Sequence, residues 1–211
     1  MGKVTGTIVF SLWASTAMAQ PVTIAALGDS LTQGFGLPVD DGFVPQLEAW
    51  LEARGHDVDI INAGVSGDTT QGGLSRVAWT LTPEVDAMIV TLGGNDLLRG
   101  IGPEVSRANL EGIVQAATDA GVDVLVVGMQ APGNYGPDYK AAFDAMYPEI
   151  AEAYGTLYLD SFFAGLGGPD TDPAQVRAFM QADGIHPNAQ GVARIVDGVG
   201  PSVEALIARA E

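Results

Sequence analysis

Four short segments of this chain carry side chains that could do chemistry together. They are Gly28-Asp29-Ser30-Leu31, Ser66-Gly67-Asp68, Gly93-Gly94-Asn95-Asp96 and Asp183-Gly184-Ile185-His186-Pro187. Acyl transfer needs a nucleophile, a base, a carboxylate to orient the base and donors for an oxyanion, and all are present. A serine hydroxyl is a weak nucleophile at neutral pH unless a base lies beside it. Asp29 and Ser30 could equally cap a helix, so Ser30 gains meaning only from its company. The elbow Gly-x-Ser-x-Gly is not matched, because Thr32 stands where its last glycine belongs.

The chain has two histidines, His56 and His186. His56 lies in Arg54-Gly55-His56-Asp57, between a helical pattern and a strand pattern. That loop should reach the edge of a sheet opposite Ser30, so His56 reads as a solvated loop residue. His186 precedes Pro187, which restricts its backbone to extended conformations, and Asn188 is placed to cap the next helix. Asp183 stands three residues before His186. On a turn, its carboxylate can accept from Nδ1–H and leave Nε2 to deprotonate Ser30. Asp183-Gly184 is also an ordinary turn former, and the two uses are compatible.

An oxyanion needs donors aimed before charge develops. Candidates are the Ser30 N–H, the Gly67 N–H and the Asn95 side-chain amide. Gly67, without a Cβ, lets a substrate approach its amide closely. A turn glycine and an Asx turn are the plainer readings of these two residues. What favours chemistry is that each segment ends a strand pattern, so their loops converge on one edge.

Those strand patterns are apolar runs: Val22 to Leu27, Val58 to Ile61, Ala87 to Leu92, Val122 to Val127 and Leu157 to Leu159. Between them apolar residues recur at helical spacing, as at Phe43, Leu47, Trp50 and Leu51, or Leu110, Ile113, Val114 and Ala117. Further helices are expected over Thr70 to Trp79, between Tyr139 and Tyr154, and after Pro187, with a break at Gly200-Pro201. Continuous apolar strands alternating with helices imply a parallel sheet covered on both faces. The expected architecture is α/β, a three-layer α/β/α sandwich with five strands in flavodoxin-like order.

Of the 211 residues 47% are hydrophobic and 17% charged, which suits one folded domain over 20–211 rather than disorder. The first 19 residues read differently. Lys3 precedes an apolar stretch around Ile8 to Trp13, and Ala17-Met18-Ala19 suits signal peptidase. Cleavage after Ala19 and a periplasmic or secreted location are expected. The chain has no cysteine, which excludes thiol and thiolate–metal chemistry. A formal charge of −17 should repel nucleic acid and anionic membranes and slow polyanions such as coenzyme A esters. Acidic pairs such as Asp40-Asp41, and Asp170 with Asp172, do not match a calcium loop. No metal is expected, and the chain is expected as a monomer or weak oligomer.

Taken in order and at their spacing, the four segments resemble the SGNH (GDSL) hydrolases from about Thr23 to Asn188. Asn62 to Leu74, Leu92 to Gly100 and Asp183 to Asn188 are most similar to the bacterial acyl-CoA thioesterase I / protease I / lysophospholipase group and its arylesterase relatives. The resemblance implies Ser30 as nucleophile, His186 as base and Asp183 as its orienter. It also implies an oxyanion hole of Ser30, Gly67 and Asn95, an adaptable acyl site and no cofactor. Pro132-Gly133-Asn134-Tyr135-Gly136 would be a substrate-binding loop, with Pro132, Asn134 and Tyr135 its contact residues. The glycine- and acid-rich stretch Ala164 to Ala174 departs from the usual member.

The expected function is an exported serine ester hydrolase acting on carboxylic esters or thioesters through an acyl-enzyme. Activity should climb with pH as His186 loses its proton. A carbohydrate acetyl esterase is the alternative within the class. A non-catalytic module binding an acyl ligand is the alternative outside it.

Overall fold

The computed structural model describes residue 2, residues 20–167 and residues 173–211. The expected signal segment, apart from Gly2, and the stretch Asp170 to Asp172 therefore lie outside the described residues.

Five strands form one parallel sheet: β1 (Val22–Gly28), β2 (Val58–Gly64), β3 (Ala87–Thr91), β4 (Asp123–Val127) and β5 (Leu157–Leu159). Their order is β2-β1-β3-β4-β5, with every neighbouring pair parallel. The central strands are buried on both faces, which is why each reads as an unbroken apolar run. At the edge, β2 alternates instead: Val58 and Ile60 are buried while Asp59 and Ile61 face solvent.

The helices are α1 (Ser30–Gln33), α2 (Phe43–Glu52), α3 (Thr70–Thr80), α4 (Gly94–Leu98), α5 (Pro103–Asp119), α6 (Pro137–Tyr154), α7 (Pro173–Arg177) and α8 (Ala189–Ala210). On one face α2 packs against α8, and on the other α3, α5 and α6 pack in succession. The three-layer sandwich expected from the sequence is the one found.

In α8 the structure departs from expectation, because the helix runs through Gly200-Pro201 without a break. Pro201 has no N–H to give the carbonyl four residues back, a loss of about 3 kcal/mol in an ordinary helix interior. Val192, Ile195, Val196 and Val199 are buried before it and Val203, Leu206 and Ile207 after it. Each such burial is worth about 1.5–3 kcal/mol, so the apolar stripe outweighs one missing bond. Gly200 serves close packing rather than termination: a Cβ there would lie 2.6 Å from the Trp50 ring. Trp50 Nε1 donates to Asp197 Oδ1 at 2.9 Å, which pins α2 to the same stretch of α8.

The strand order reverses at β1, because β2 is laid down on one side of it and β3 on the other, so the switch point lies between β1 and β3. Open α/β sheets place ligands outside the carboxyl ends of their strands at that switch point. Ser30 follows β1 and Asn95 follows β3, so both emerge beside it.

Candidate active site

β1 delivers the chain to Asp29, whose carboxylate caps α1 by accepting from the Leu31 N–H at 3.0 Å. The capping reading of this segment is seen in Asp29, and Ser30 opens the helix beside the switch point. Ser30 Oγ lies 2.9 Å from His186 Nε2. His186 Nδ1 lies 2.7 Å from Asp183 Oδ2. The other Asp183 oxygen accepts the N–H groups of Ile185 (2.9 Å) and His186 (3.0 Å). One carboxylate thus forms the turn and holds the imidazole. The hydrogen bond from His186, and then those from the two backbone amides, hold the Asp183 carboxyl down to about 2.

The histidine loop is closed by local bonds. Gln181 N–H donates to the His186 carbonyl at 2.7 Å, and Met180 bridges to Pro187. Asn188 caps α8 by accepting from the Gly191 N–H, as its position predicted. The Gln181 side-chain amide donates to the carbonyls of Phe35 (2.8 Å) and Pro187 (3.0 Å). The Phe35 ring lies against the imidazole, with centroids 4.6 Å apart. Neither Phe35 nor Gln181 was singled out in the sequence, since their partners are over a hundred residues away in one case and backbone atoms in the other.

Asn95 follows a left-handed Gly93 and directs Nδ2 to Asp29 Oδ2 at 3.1 Å. That uses one amide hydrogen and leaves the other for the cavity. Asp29 is 2% exposed, and burial pushes its carboxyl up against the bonds from Leu31 and Asn95 that favour its charge. Next to it, fully buried Asp96 accepts from the Thr70 N–H (2.8 Å), Thr70 Oγ1 (2.6 Å) and Ser106 Oγ (2.9 Å). This network ties the Asn95 turn to α3 and α5. Gly67 sits at φ +85, a left-handed turn that a side chain would strain.

Ser30, Gly67, Asn95 and His186 line one cavity of about 340 Å³. Its remaining wall is mostly apolar, from Phe35, Leu97, Leu98, Met129, Phe163 and Ile185. Pro132, Asn134 and Tyr135 do not line it. They are exposed around the turn Gly133–Tyr135, where the Tyr135 ring packs on Tyr139 at 4.9 Å. The neighbouring Met129 and Gln130 do reach the cavity.

His56 occupies the opposite edge, as its loop implied, but it is not simply solvated. Its Nε2 meets Glu204 Oε1 of α8 at 3.1 Å, and its side chain is 28% exposed. The uninterrupted α8 is what brings Glu204 there.

Known proteins of similar sequence and fold identify the family. The sequence model of the GDSL-like lipase/acylhydrolase family matches residues 26–194. The chain is 38% identical over 193 residues to esterase TesA of Pseudomonas aeruginosa, covering 91% of this chain and 92% of that protein. It is 34% identical to an arylesterase of Vibrio mimicus over 184 residues, 87% of this chain and 88% of the relative. A crystal structure of TesA superposes with a TM-score of 0.78 at 37% identity, covering 87% of this chain and 99% of that one. The chain belongs to the GDSL-like lipase/acylhydrolase family.

Proposed function

We propose that this ester hydrolase works through an acyl-serine intermediate, with Ser30 as nucleophile. His186 takes the hydroxyl proton at Nε2 as Oγ attacks the ester carbonyl, and Asp183 keeps the imidazole in the required tautomer. The tetrahedral oxyanion is held by the Ser30 N–H, the Gly67 N–H and the second Nδ2 hydrogen of Asn95. Collapse expels the alcohol or thiol, protonated by His186. Water, deprotonated by the same imidazole, then releases the acid and restores Ser30.

The observation that carries this reading is the unbroken relay Asp183–His186–Ser30, at 2.7 and 2.9 Å, opening into an apolar cavity. An apolar wall suits acyl or aryl groups better than a polysaccharide, which places the carbohydrate acetyl esterase second. A binding module would have no use for a base at hydrogen-bond distance from a serine.

We also infer that residues 1–19 are an export signal cleaved after Ala19, and that residues 20–211 act as a single domain in the periplasm or outside the cell. The apolar stretch and Ala17-Met18-Ala19 support this. No helix among the described residues is long and apolar enough to cross a membrane.

The test is hydrolysis of p-nitrophenyl esters from acetyl to dodecanoyl, beside Ser30→Ala. Turnover by the native chain that disappears in the variant is expected, with a chain-length optimum that sizes the cavity. Retention of turnover by Ser30→Ala would remove the acyl-serine mechanism.

A further inference from the structure

Arg76 of α3 reaches across the ends of β1 and β2, and its side chain is 22% exposed. Nε donates to Asp68 Oδ2 at 2.6 Å, Nη1 to the Ala63 carbonyl at 2.7 Å and Nη2 to the Gly28 carbonyl at 2.8 Å. These acceptors come from three places. Gly28 ends β1 two residues before Ser30, Ala63 is next to last in β2, and Asp68 directly follows Gly67.

The sheet needs such a link here. β2 is an edge strand, paired only with β1, and the ladder stops at Gly28–Gly64. Beyond that point one backbone bond, from the Val65 N–H to the Gly28 carbonyl at 3.1 Å, joins the diverging segments. The guanidinium adds two bonds to backbone carbonyls and one to the Asp68 carboxylate, all from a single rigid plane. A lysine would carry the same charge on one nitrogen and could not span all three acceptors.

We propose that Arg76 is a positioning residue for the oxyanion site: it sets the separation of the Ser30 and Gly67 N–H groups. The proposal rests on reading those two groups as oxyanion donors. Donors that are aimed in advance act on charge that exists only in the transition state. Loosening the link therefore lowers kcat and leaves KM nearly as it was. An arginine that only stabilised the fold would lower Tm and leave the folded enzyme's kcat unchanged.

The experiment measures kcat and KM on p-nitrophenyl butanoate, well below Tm, for the native chain and for Arg76→Lys, Arg76→Ala, Asp68→Asn and Ser30→Ala. Inhibition by an alkyl trifluoromethyl ketone, whose serine adduct carries an oxyanion, is measured alongside. In Arg76→Lys we expect kcat to fall about 10- to 100-fold with KM within about threefold, and the ketone to bind weaker by a similar factor. Added guanidinium ion should restore part of kcat in Arg76→Ala and none in Ser30→Ala.

A folded Arg76→Lys with kcat within about twofold of native overturns the proposal. Should that variant not fold, Asp68→Asn decides, because it weakens one arm and keeps the other two. A kcat drop of about three- to tenfold in Asp68→Asn supports the proposal, and an unchanged kcat overturns it. If Ser30→Ala still turns over, the acyl-serine reading and this proposal fall together. If Ser30→Ala is inactive and the arginine variants are unaffected, the link alone is wrong.

Discussion

His186 and His56 both meet a carboxylate, at 2.7 Å from Asp183 and 3.1 Å from Glu204, yet they sit at opposite edges of one sheet. For His186 the carboxylate takes Nδ1, and Nε2 faces a serine at the mouth of an apolar cavity. For His56 the carboxylate takes Nε2, and the pair joins the loop before β2 to the last turns of α8. The contact is chemically the same. What differs is which nitrogen it occupies and what the strands leave beside it. At the carboxyl edge the connections after β1 and β3 part, which opens room for a ligand. At the amino edge α8 packs over the loop, and the same pairing only ties two elements together.

Exchanging the two histidines' fates is the way to break this comparison. The largest effect is expected in His186→Ala, where kcat should fall by a factor on the order of 10⁴ to 10⁶ in steady-state assays. A residual rate close to native would mean that His186 is no more than another structural histidine.

Next comes Asp183→Asn, expected to lower kcat about 10³- to 10⁴-fold, because an amide no longer selects the tautomer that leaves Nε2 basic. This variant also reports on pH. The folded carboxyl is held down to about 2, below its ordinary value of 3.8. Its stabilising contribution is therefore complete above the higher value and is lost as pH falls toward the lower one. The Tm difference between native chain and variant should be level above about pH 5 and close between about pH 4 and 2. A gap that widened on acidification would contradict the sign of the shift.

Asn95→Ala should lower kcat by about 100-fold with modest change in KM, since its second amide hydrogen is needed only when the oxyanion forms. A rise in KM at constant kcat would make Asn95 a substrate-binding residue instead. The smallest effect belongs to His56→Ala. Its pair is partly exposed, so stability should drop by no more than about 1 kcal/mol, with kcat unchanged in the same assay. Any loss of kcat there would carry the amino edge into the chemistry and dissolve the contrast.

Part of this contrast was legible in the chain itself. Asp183 and His186 are three residues apart, so their pairing depends on a turn that Gly184 and Pro187 shape locally. Ser30 and Asn95 end apolar runs whose burial on both faces makes them unambiguous strands. His56 was placed at the correct edge for the same reason, but Glu204 lies 148 residues away and no local pattern announces it. The end expected for α8 at Gly200-Pro201 failed in a related way. The penalty of a proline is visible in the sequence, whereas the core stripe and the Trp50 ring that outweigh it belong to the packing.

From its residues alone this chain determines the layer arrangement and the strand set, because each follows from helical spacing of three to four residues or from runs of apolar ones, and it offers the candidate residues for acyl transfer that the proposed function uses. The tertiary structure alone decides that Phe35 covers the His186 ring, that Asp29 holds Asn95 and that one guanidinium spans Gly28, Ala63 and Asp68. Those contacts join segments brought together only when the sheet closes its register and the helices cover it, and distance along the chain carries no record of them.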